Sequence, residues 1–319
     1  MARRLVRLLL IVLLFMGADN YLSAQTDGTG DILVAIVSSD SSFATERSRK
    51  GIKQTFSTSA IPIQIEEINI KLDGTEKTVS KINLLKPDLV VTVGSPSTIF
   101  IKDNFPEIPL IFSTVLNPET SGILDTISGK PKTVTGASLD IPIDIQFQKF
   151  IMVHPGLKKV GVIYTEQTEK QIKEAARIAP ALGLELIAIK IESERQMPIA
   201  LDSLCRVADG IWTTADDLIY TPQATKFMIL SSIRNSKPIM GFSPSFVKSG
   251  ALMGLNYDYK DIGRRAGKLA LRFINGEPID SLPIESPGVI YLHINLKTAK
   301  QMGLVIDQSL VDISKEIYE

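Results

Sequence analysis

Short apolar runs rich in β-branched residues recur along the chain, and segments with apolar residues at helical spacing lie between them. This alternation is typical of parallel sheets covered by helices. The runs predict two series of strands and one late strand, at 32–37, 64–68, 89–93, 110–113 and 133–137, at 159–164, 185–190, 210–213 and 238–241, and at 289–294.

Each series alternates strands with helical segments, such as those at 42–58, 169–182, 262–275 and 298–302. The fold class predicted is α/β, with two Rossmann-like lobes whose parallel sheets are joined by a hinge of three chain crossings. The length also exceeds what one hydrophobic core usually organises. We predict a first lobe from 25–138 plus 249–287 and a second lobe from 139–248 plus 288–319.

The first residues have the pattern of a leader for export. Arg3, Arg4 and Arg7 precede a short apolar run, and the small residues Ser23 and Ala24 suit cleavage before Gln25. The run falls short of the roughly 20 residues that cross a bilayer. We predict a signal peptide at 1–24 and an exported, periplasmic protein without a lipid-anchoring cysteine.

Composition argues against several classes of function. The formal charge is near zero, which argues against a nucleic-acid partner. Cys205 has helical spacing from Leu201 and Leu204, so we interpret it as a buried thiol, and His154 and His293 lack the spacing of metal ligands. We therefore predict no metal, no cofactor and no enzymatic activity, with a hydrolase as the weaker alternative.

Polar residues follow the strands of the first series, where the loops of a parallel sheet form its ligand-binding edge. Helix capping explains each loop taken alone, but several polar strand ends on one edge favour a binding site. The candidate ligand-binding residues of this series are Ser38, Ser39, Asp40, Gly94, Ser95, Pro96, Asn117, Thr135 and Gly136.

The second series adds Thr165, Thr214, Asp216, Phe242 and Ser243 at its strand ends. Asp216 is the sharpest of these candidates, because a carboxylate facing a cleft would pair with a ligand ammonium group. A capping role for Asp216 or Asp217 stays open. Phe242 would supply an apolar wall, whereas we interpret Trp212 as a core residue.

Several segments in order along the chain resemble the ABC transporter substrate-binding family that includes importers of tryptophan, phenylalanine and tyrosine. The segments are Lys86-Pro87-Asp88-Leu89-Val90 with Val93-Gly94-Ser95-Pro96-Ser97, Val134-Thr135-Gly136, Lys159-Val160-Gly161-Val162-Ile163-Tyr164, Ser249-Gly250-Ala251-Leu252, Asp258-Tyr259 with Gly263-Arg264-Arg265-Ala266, and Asn295-Leu296-Lys297-Thr298-Ala299 with Met302-Gly303-Leu304.

The resemblance implies the type I periplasmic-binding-protein fold, with a ligand held between hinged lobes and delivered to a membrane permease and its ATPase. It implies that Gly94, Ser95 and Pro96 hold a ligand carboxylate and that Asp216 is the acid of the second lobe. Asn117 stands where we expect an aspartate before Pro118, which leaves the ligand class open.

The predicted function is that of a monomeric solute-binding protein of an ABC importer. It would bind a small solute, with an amino acid as one candidate, by hinge closure. An accessory protein that presents its solute to a membrane receptor is the alternative.

Overall fold

The computed structural model describes residues 32–124 and 133–319. Each of the two lobes is built around one sheet. The predicted signal peptide, 1–24, lies outside the described residues. No helix in the described ranges combines the length and the apolar character needed to cross a membrane.

The first sheet has five parallel strands in the order β2-β1-β3-β4-β5. Its two faces are covered by separate apolar clusters, one around Ile36 and Val91 and the other around Val90 and Phe112. The strands are β1 Ile32–Ser38, β2 Ile63–Asn69, β3 Leu89–Val93, β4 Leu110–Val115 and β5 Val134–Ser138, and the helices before the first crossing are α1 Phe43–Phe56, α2 Ile70–Asp73, α3 Thr75–Leu85 and α4 Ser95–Asn104.

The second sheet has seven strands in the order β12-β11-β10-β9-β8-β6-β7, and only β10 and β11 pair antiparallel. Its strands are β6 Lys159–Tyr164, β7 Glu185–Lys190, β8 Gly210–Trp212, β9 Ile239–Gly241, β10 Met253–Tyr257, β11 Ile290–Asn295 and β12 Glu316–Tyr318. The remaining helices of the described chain are α5 Ile143–Val153, α6 Glu169–Ile178, α7 Met197–Val207, α8 Pro222–Arg234, α9 Pro244–Lys248, α10 Tyr259–Ile274, α11 Leu296–Gln301 and α12 Gln308–Ile313, with 3₁₀ turns at Glu166–Thr168, Ala179–Leu182 and Glu194–Gln196.

The predicted strands are confirmed, with their ends shifted by one or two residues, but one lobe boundary is wrong. Residues 249–287 were assigned to the first lobe, whereas Met253–Tyr257 pairs with β9 and β11 in the second sheet. The chain returns to the first lobe only at α10, whose N-terminus is capped by Asp258. The short strands β10 and β12 were not predicted from the sequence.

Helix α10 completes the first lobe by packing closely against α1. Glycines allow the backbones to approach: a Cβ at Gly263 would lie 1.9 Å from the carbonyl oxygen of Ser48, and one at Gly51 would lie 2.1 Å from that of Lys260. After β10 in the second lobe, the chain therefore re-enters the first lobe by packing α10 closely on α1.

Replacing Gly263 with alanine is expected to destabilise the protein by about 1–3 kcal/mol, because the added methyl group meets backbone that cannot move aside. Urea denaturation would measure the change. The control is Gly156→Ala, where the new Cβ has only an ordinary contact with the His154 ring, at 3.5 Å. Equal effects of the two substitutions would contradict the close packing of α1 and α10.

Three chain crossings join the lobes and are hydrogen-bonded side by side. The Ser138 amide donates to the carbonyl of Glu285, and the Asp258 amide donates to that of Val289. From α10, the Asp261 carboxylate accepts the amides of Gly288 and Val289. The first and second crossings are thus each tied to the third.

Candidate functional site

The carboxyl ends of the two sheets face each other across a cleft that contains two adjoining cavities. The outer cavity has a volume of about 720 Å³ and lies between Leu116 and Asn117 of the first lobe and Asp217 and Tyr220 of the second. The inner cavity, of about 240 Å³, lies closer to the crossings. Together they have the volume typical of small-molecule sites, roughly 300–1,000 Å³.

The end of β4 brings Asn117 into both cavities. Thr114 and Asn117 have positive φ angles of 61° and 50°. Left-handed backbone at non-glycine residues costs free energy and concentrates at functional sites. The Asn117 amide donates to Oδ1 of Asp140 at 2.9 Å, so the bent loop positions a carboxylate.

Asp140, which sequence reasoning missed, lies in the first crossing and lines the inner cavity. Burial raises its pKa to about 6, with Glu119 and Glu174 contributing to the increase and the hydrogen bond from the Asn117 amide opposing it. Its Oδ2 accepts no hydrogen bond from the described residues. Asp140 is also the one charged residue among those of the described chain that line the inner cavity.

Asp216, the sharpest candidate from the sequence, is 1% exposed and its carboxylate is occupied within the second lobe. Oδ2 accepts the Thr165 amide and the hydroxyls of Thr165 and Thr168 at 2.8–3.0 Å, and Oδ1 accepts the Leu218 amide at 3.3 Å. Although Asp216 borders the outer cavity, its hydrogen bonds explain its presence without a ligand. The role predicted for Asp216, and for Thr165 beside it, is therefore corrected to holding the β6 and β8 loops together.

Thr214 differs from its neighbours because it lines the inner cavity with a buried hydroxyl that has no hydrogen-bond partner among the described residues. The preceding Thr213 donates its hydroxyl to the carbonyl of Met240. Since buried polar groups are normally satisfied, Thr214 is a candidate ligand contact.

Aromatic rings form one wall of the cleft on the second lobe. Phe242 is 39% exposed and lies 5.5 Å from the ring of Tyr220 and 4.9 Å from that of Phe246. Ser243, also on the inner cavity, caps α9 by accepting the Phe246 amide. Trp212 is fully buried against Phe147, which confirms its interpretation as a core residue.

The candidates at the ends of β1 and β3 are engaged mainly in local structure. Ser38 donates to the carbonyl of Ile68, Ser39 accepts the Ser97 amide, and Asp40 accepts the Ser42 amide and the Thr45 hydroxyl. These hydrogen bonds lower the pKa of Asp40. Local hydrogen bonds therefore account for all three residues without a ligand.

Gly94 has a φ of 99°, and a Cβ there would lie 2.8 Å from Oγ of Ser39. Ser95 and Pro96 begin α4 behind it. The Ser95 hydroxyl makes no hydrogen bond within the described residues, so it stays free for a ligand. Neither cavity is lined by any of the six candidates at the ends of β1 and β3.

Thr135 and Gly136 lie in the interior of the first lobe, and the prediction that they bind ligand is wrong. The Thr135 hydroxyl donates to the carbonyls of Leu282 and Pro283, and a Cβ at Gly136 would lie 2.2 Å from that of Phe112. Both residues fix the edge of the first sheet.

Acidic side chains predominate around the cleft mouth. Glu166 and Asp217 border the outer cavity, and Glu119 and Glu174 border a third cavity of about 270 Å³. Lys170 borders both. Lys170 of the second lobe forms an ion pair with Glu119 of the first. A positively charged group is therefore favoured in the cleft.

No group of residues in the described ranges is arranged to hold a metal ion. Burial raises the pKa of the Cys205 thiol and lowers those of His154 and His293. The thiol is thus held in its unreactive, protonated form.

Comparison with known proteins gives a consistent result. The family described as "ABC transporter substrate binding protein" matches residues 32–317. A tyrosine-binding protein of Clostridioides difficile (strain R20291) is 26% identical over 249 residues, covering 76% of this chain and 71% of that protein.

Two solved structures have a similar fold. The ligand-free, open structure of a substrate-binding protein with adhesive properties from Clostridium difficile gives a TM-score of 0.71 at 19% identity, covering 90% of this chain and 99% of that one. The ABC domain from Streptococcus pneumonia in complex with L-Trp gives 0.58 at 20% identity, covering 90% and 100%. With two lobes, three crossings and a family match over nearly all the described residues, the chain belongs to the ABC transporter substrate-binding protein family.

Proposed function

We propose that this protein is the extracytoplasmic solute-binding component of an ABC importer and that it binds an aromatic amino acid between its lobes, without chemical change to the solute. The observation that carries the proposal is Asp140, whose half-buried carboxylate lines the inner cavity and has one oxygen without a partner among the described residues.

A ligand ammonium group would fit beside Asp140. A carboxylate removed from water is costly unless it is paired, and the lining of the inner cavity contains no basic residue of the described chain. An ammonium group would supply the missing charge and donate a hydrogen bond to Oδ2. From the second lobe, the hydroxyl of Thr214 would form a further hydrogen bond with the ligand.

An apolar ligand side chain would fit the wall made by Leu116, Tyr220 and Phe242, which border the outer cavity. Aromatic rings favour offset or tilted contacts with one another, as Tyr220 and Phe242 already make. The names of the relatives agree, since one is a tyrosine-binding protein and another structure contains L-Trp.

The ligand carboxylate is assigned to Ser95 at the start of α4. Its hydroxyl is uncommitted in the described structure, and the N-terminus of a helix favours negative charge. Closure of the lobes about the three crossings would bring this end of the first lobe over a solute held at Asp140. Ligand contacts made only in the closed state would then stabilise it for recognition by the permease and its ATPase.

A thermal-shift screen of the mature protein tests this function. Phenylalanine, tyrosine and tryptophan are expected to raise the melting temperature, because a ligand that binds only the folded state stabilises it by about 2.7 kcal/mol at one hundred times its Kd. The matched controls are the same side chains without the amino group, such as 3-phenylpropionate. Stabilisation by these acids and not by the amino acids would contradict the proposal.

A further inference from the structure

The second lobe has a concave groove on the outside of the cleft, between helices α8 and α9. We call it the α8–α9 groove, and its volume is about 610 Å³. The residues that line it include Lys226, Ile229, Leu230, Phe242, Phe246 and Ser249.

Helix α8 leaves large apolar side chains exposed, of which Leu230 lines this groove. Leu230 is 55% exposed and Phe227, on the same helix, is 41% exposed. Phe227, Leu230 and Arg234 follow one another at intervals of three and four residues, so they share one face of α8. Exposed apolar residues grouped beside a concave surface mark an interaction site more often than scattered ones do.

The segment that supplies the lining residues of the groove carries charges of one sign. Residues 218–257 contain four basic residues, Lys226, Arg234, Lys237 and Lys248, and no acidic residue, although the whole chain is neutral. None of the four forms an ion pair with another described residue, and Lys226 lines the groove itself. The complementary partner is therefore acidic.

Two aromatic residues belong to both the groove and the cleft. Tyr220 and Phe242 border the outer cavity on one side and the α8–α9 groove on the other. Tyr220 is held by a hydrogen bond from its hydroxyl to the carbonyl of Ile163, whereas Phe242 contacts Phe246 in the groove. A solute that displaces the Phe242 ring would change the shape of the groove.

We propose that the α8–α9 groove is the docking site for an acidic protein segment that carries an apolar side chain, and that Phe242 makes this docking sensitive to the solute. A protruding segment fits a concave groove, whereas a lipid surface requires a flat or convex one. The sensitivity to solute rests on the proposed function, but the docking itself does not.

Fluorescence anisotropy without solute tests the docking. The probe is a short labelled peptide that combines glutamate with leucine and phenylalanine. It is expected to bind, with Lys226→Glu and Leu230→Ser each weakening it about tenfold and with added salt weakening it further. Arg177→Glu makes the same charge change on exposed α6 and should leave binding unchanged.

Equal binding of a peptide with lysine in place of glutamate would overturn the proposal, as would no binding of the acidic peptide. Vesicles of phosphatidylglycerol that bind the protein more tightly than the peptide would identify a lipid surface instead. Self-association in sedimentation that Leu230→Ser abolishes would identify a second copy of the chain. Solute affinity, measured separately by calorimetry, keeps a failure of the groove distinct from a failure of the solute site.

Discussion

Asp140→Asn is expected to weaken binding of the solute's ammonium group by about tenfold to a hundredfold at neutral pH. A hydrogen bond to a charged partner contributes roughly 1.5–3 kcal/mol, and the substitution removes the charge while keeping the shape of the side chain. The Asn117 amide still finds an acceptor, so the loop after β4 stays in place. Isothermal titration calorimetry at pH 7.5 would measure the loss.

The same substitution is expected to stabilise the empty protein at neutral pH. Because burial raises the pKa of Asp140 to about 6, ionisation of this group opposes folding above that pH, and asparagine has no charge to bury. Asp144→Asn, four residues further along the chain in the first turn of α5, serves as the control and should change affinity less than about twofold. An Asp140→Asn protein with unchanged affinity would remove this residue from the site.

Asp216→Ala is expected to cost about 3–5 kcal/mol of stability, because four donors from the β6 and β8 loops lose their shared acceptor in a buried place. Chemical denaturation would measure the change. Thr168→Ala, which removes only one of these hydrogen bonds, should cost about 1 kcal/mol.

The effect on affinity separates this structural role from the ligand contact that the sequence predicted. Where Asp216→Ala folds, its solute affinity is expected to stay within a few-fold of the original value. If the variant is too unstable to isolate, Asp216→Asn gives the same comparison with the side-chain shape preserved. Normal stability together with lost binding would restore Asp216 to the site.

The fold could be predicted from the sequence because its strands are long and β-branched. In a parallel sheet covered by helices, such strands appear as continuous apolar runs, as at Leu89–Val93 and Lys159–Tyr164. Strand β10 was missed because it is only five residues long and its Gly254 weakens a strand pattern. That omission also misplaced the second crossing.

The site was less predictable, because helix caps and ligand contacts use the same residue types. Four candidates from the sequence, Asn117, Thr214, Phe242 and Ser243, line the inner cavity, and their binding of a ligand stays a prediction. It could not distinguish the internal hydrogen bonds of Asp216 or the buried position of Thr135. Asp140 could have been named as a candidate, since it follows the strand end at Ser138 by two residues. Its conformation is set by a hydrogen bond from Asn117 in another loop, and local sequence does not reveal such a contact.

The central claim is that Asp140 holds the ammonium group of the solute. The most direct test is to measure the dissociation constant of an aromatic amino acid by calorimetry between pH 5 and pH 7, for the original protein and for Asp140→Asn. Only the ionised carboxylate binds the cation, and with a pKa of about 6 it is mostly protonated at pH 5. The original protein should therefore bind about tenfold more weakly at pH 5 than at pH 7, whereas Asp140→Asn should bind equally at both. The same slope for both proteins, or no slope for the original one, would contradict the account.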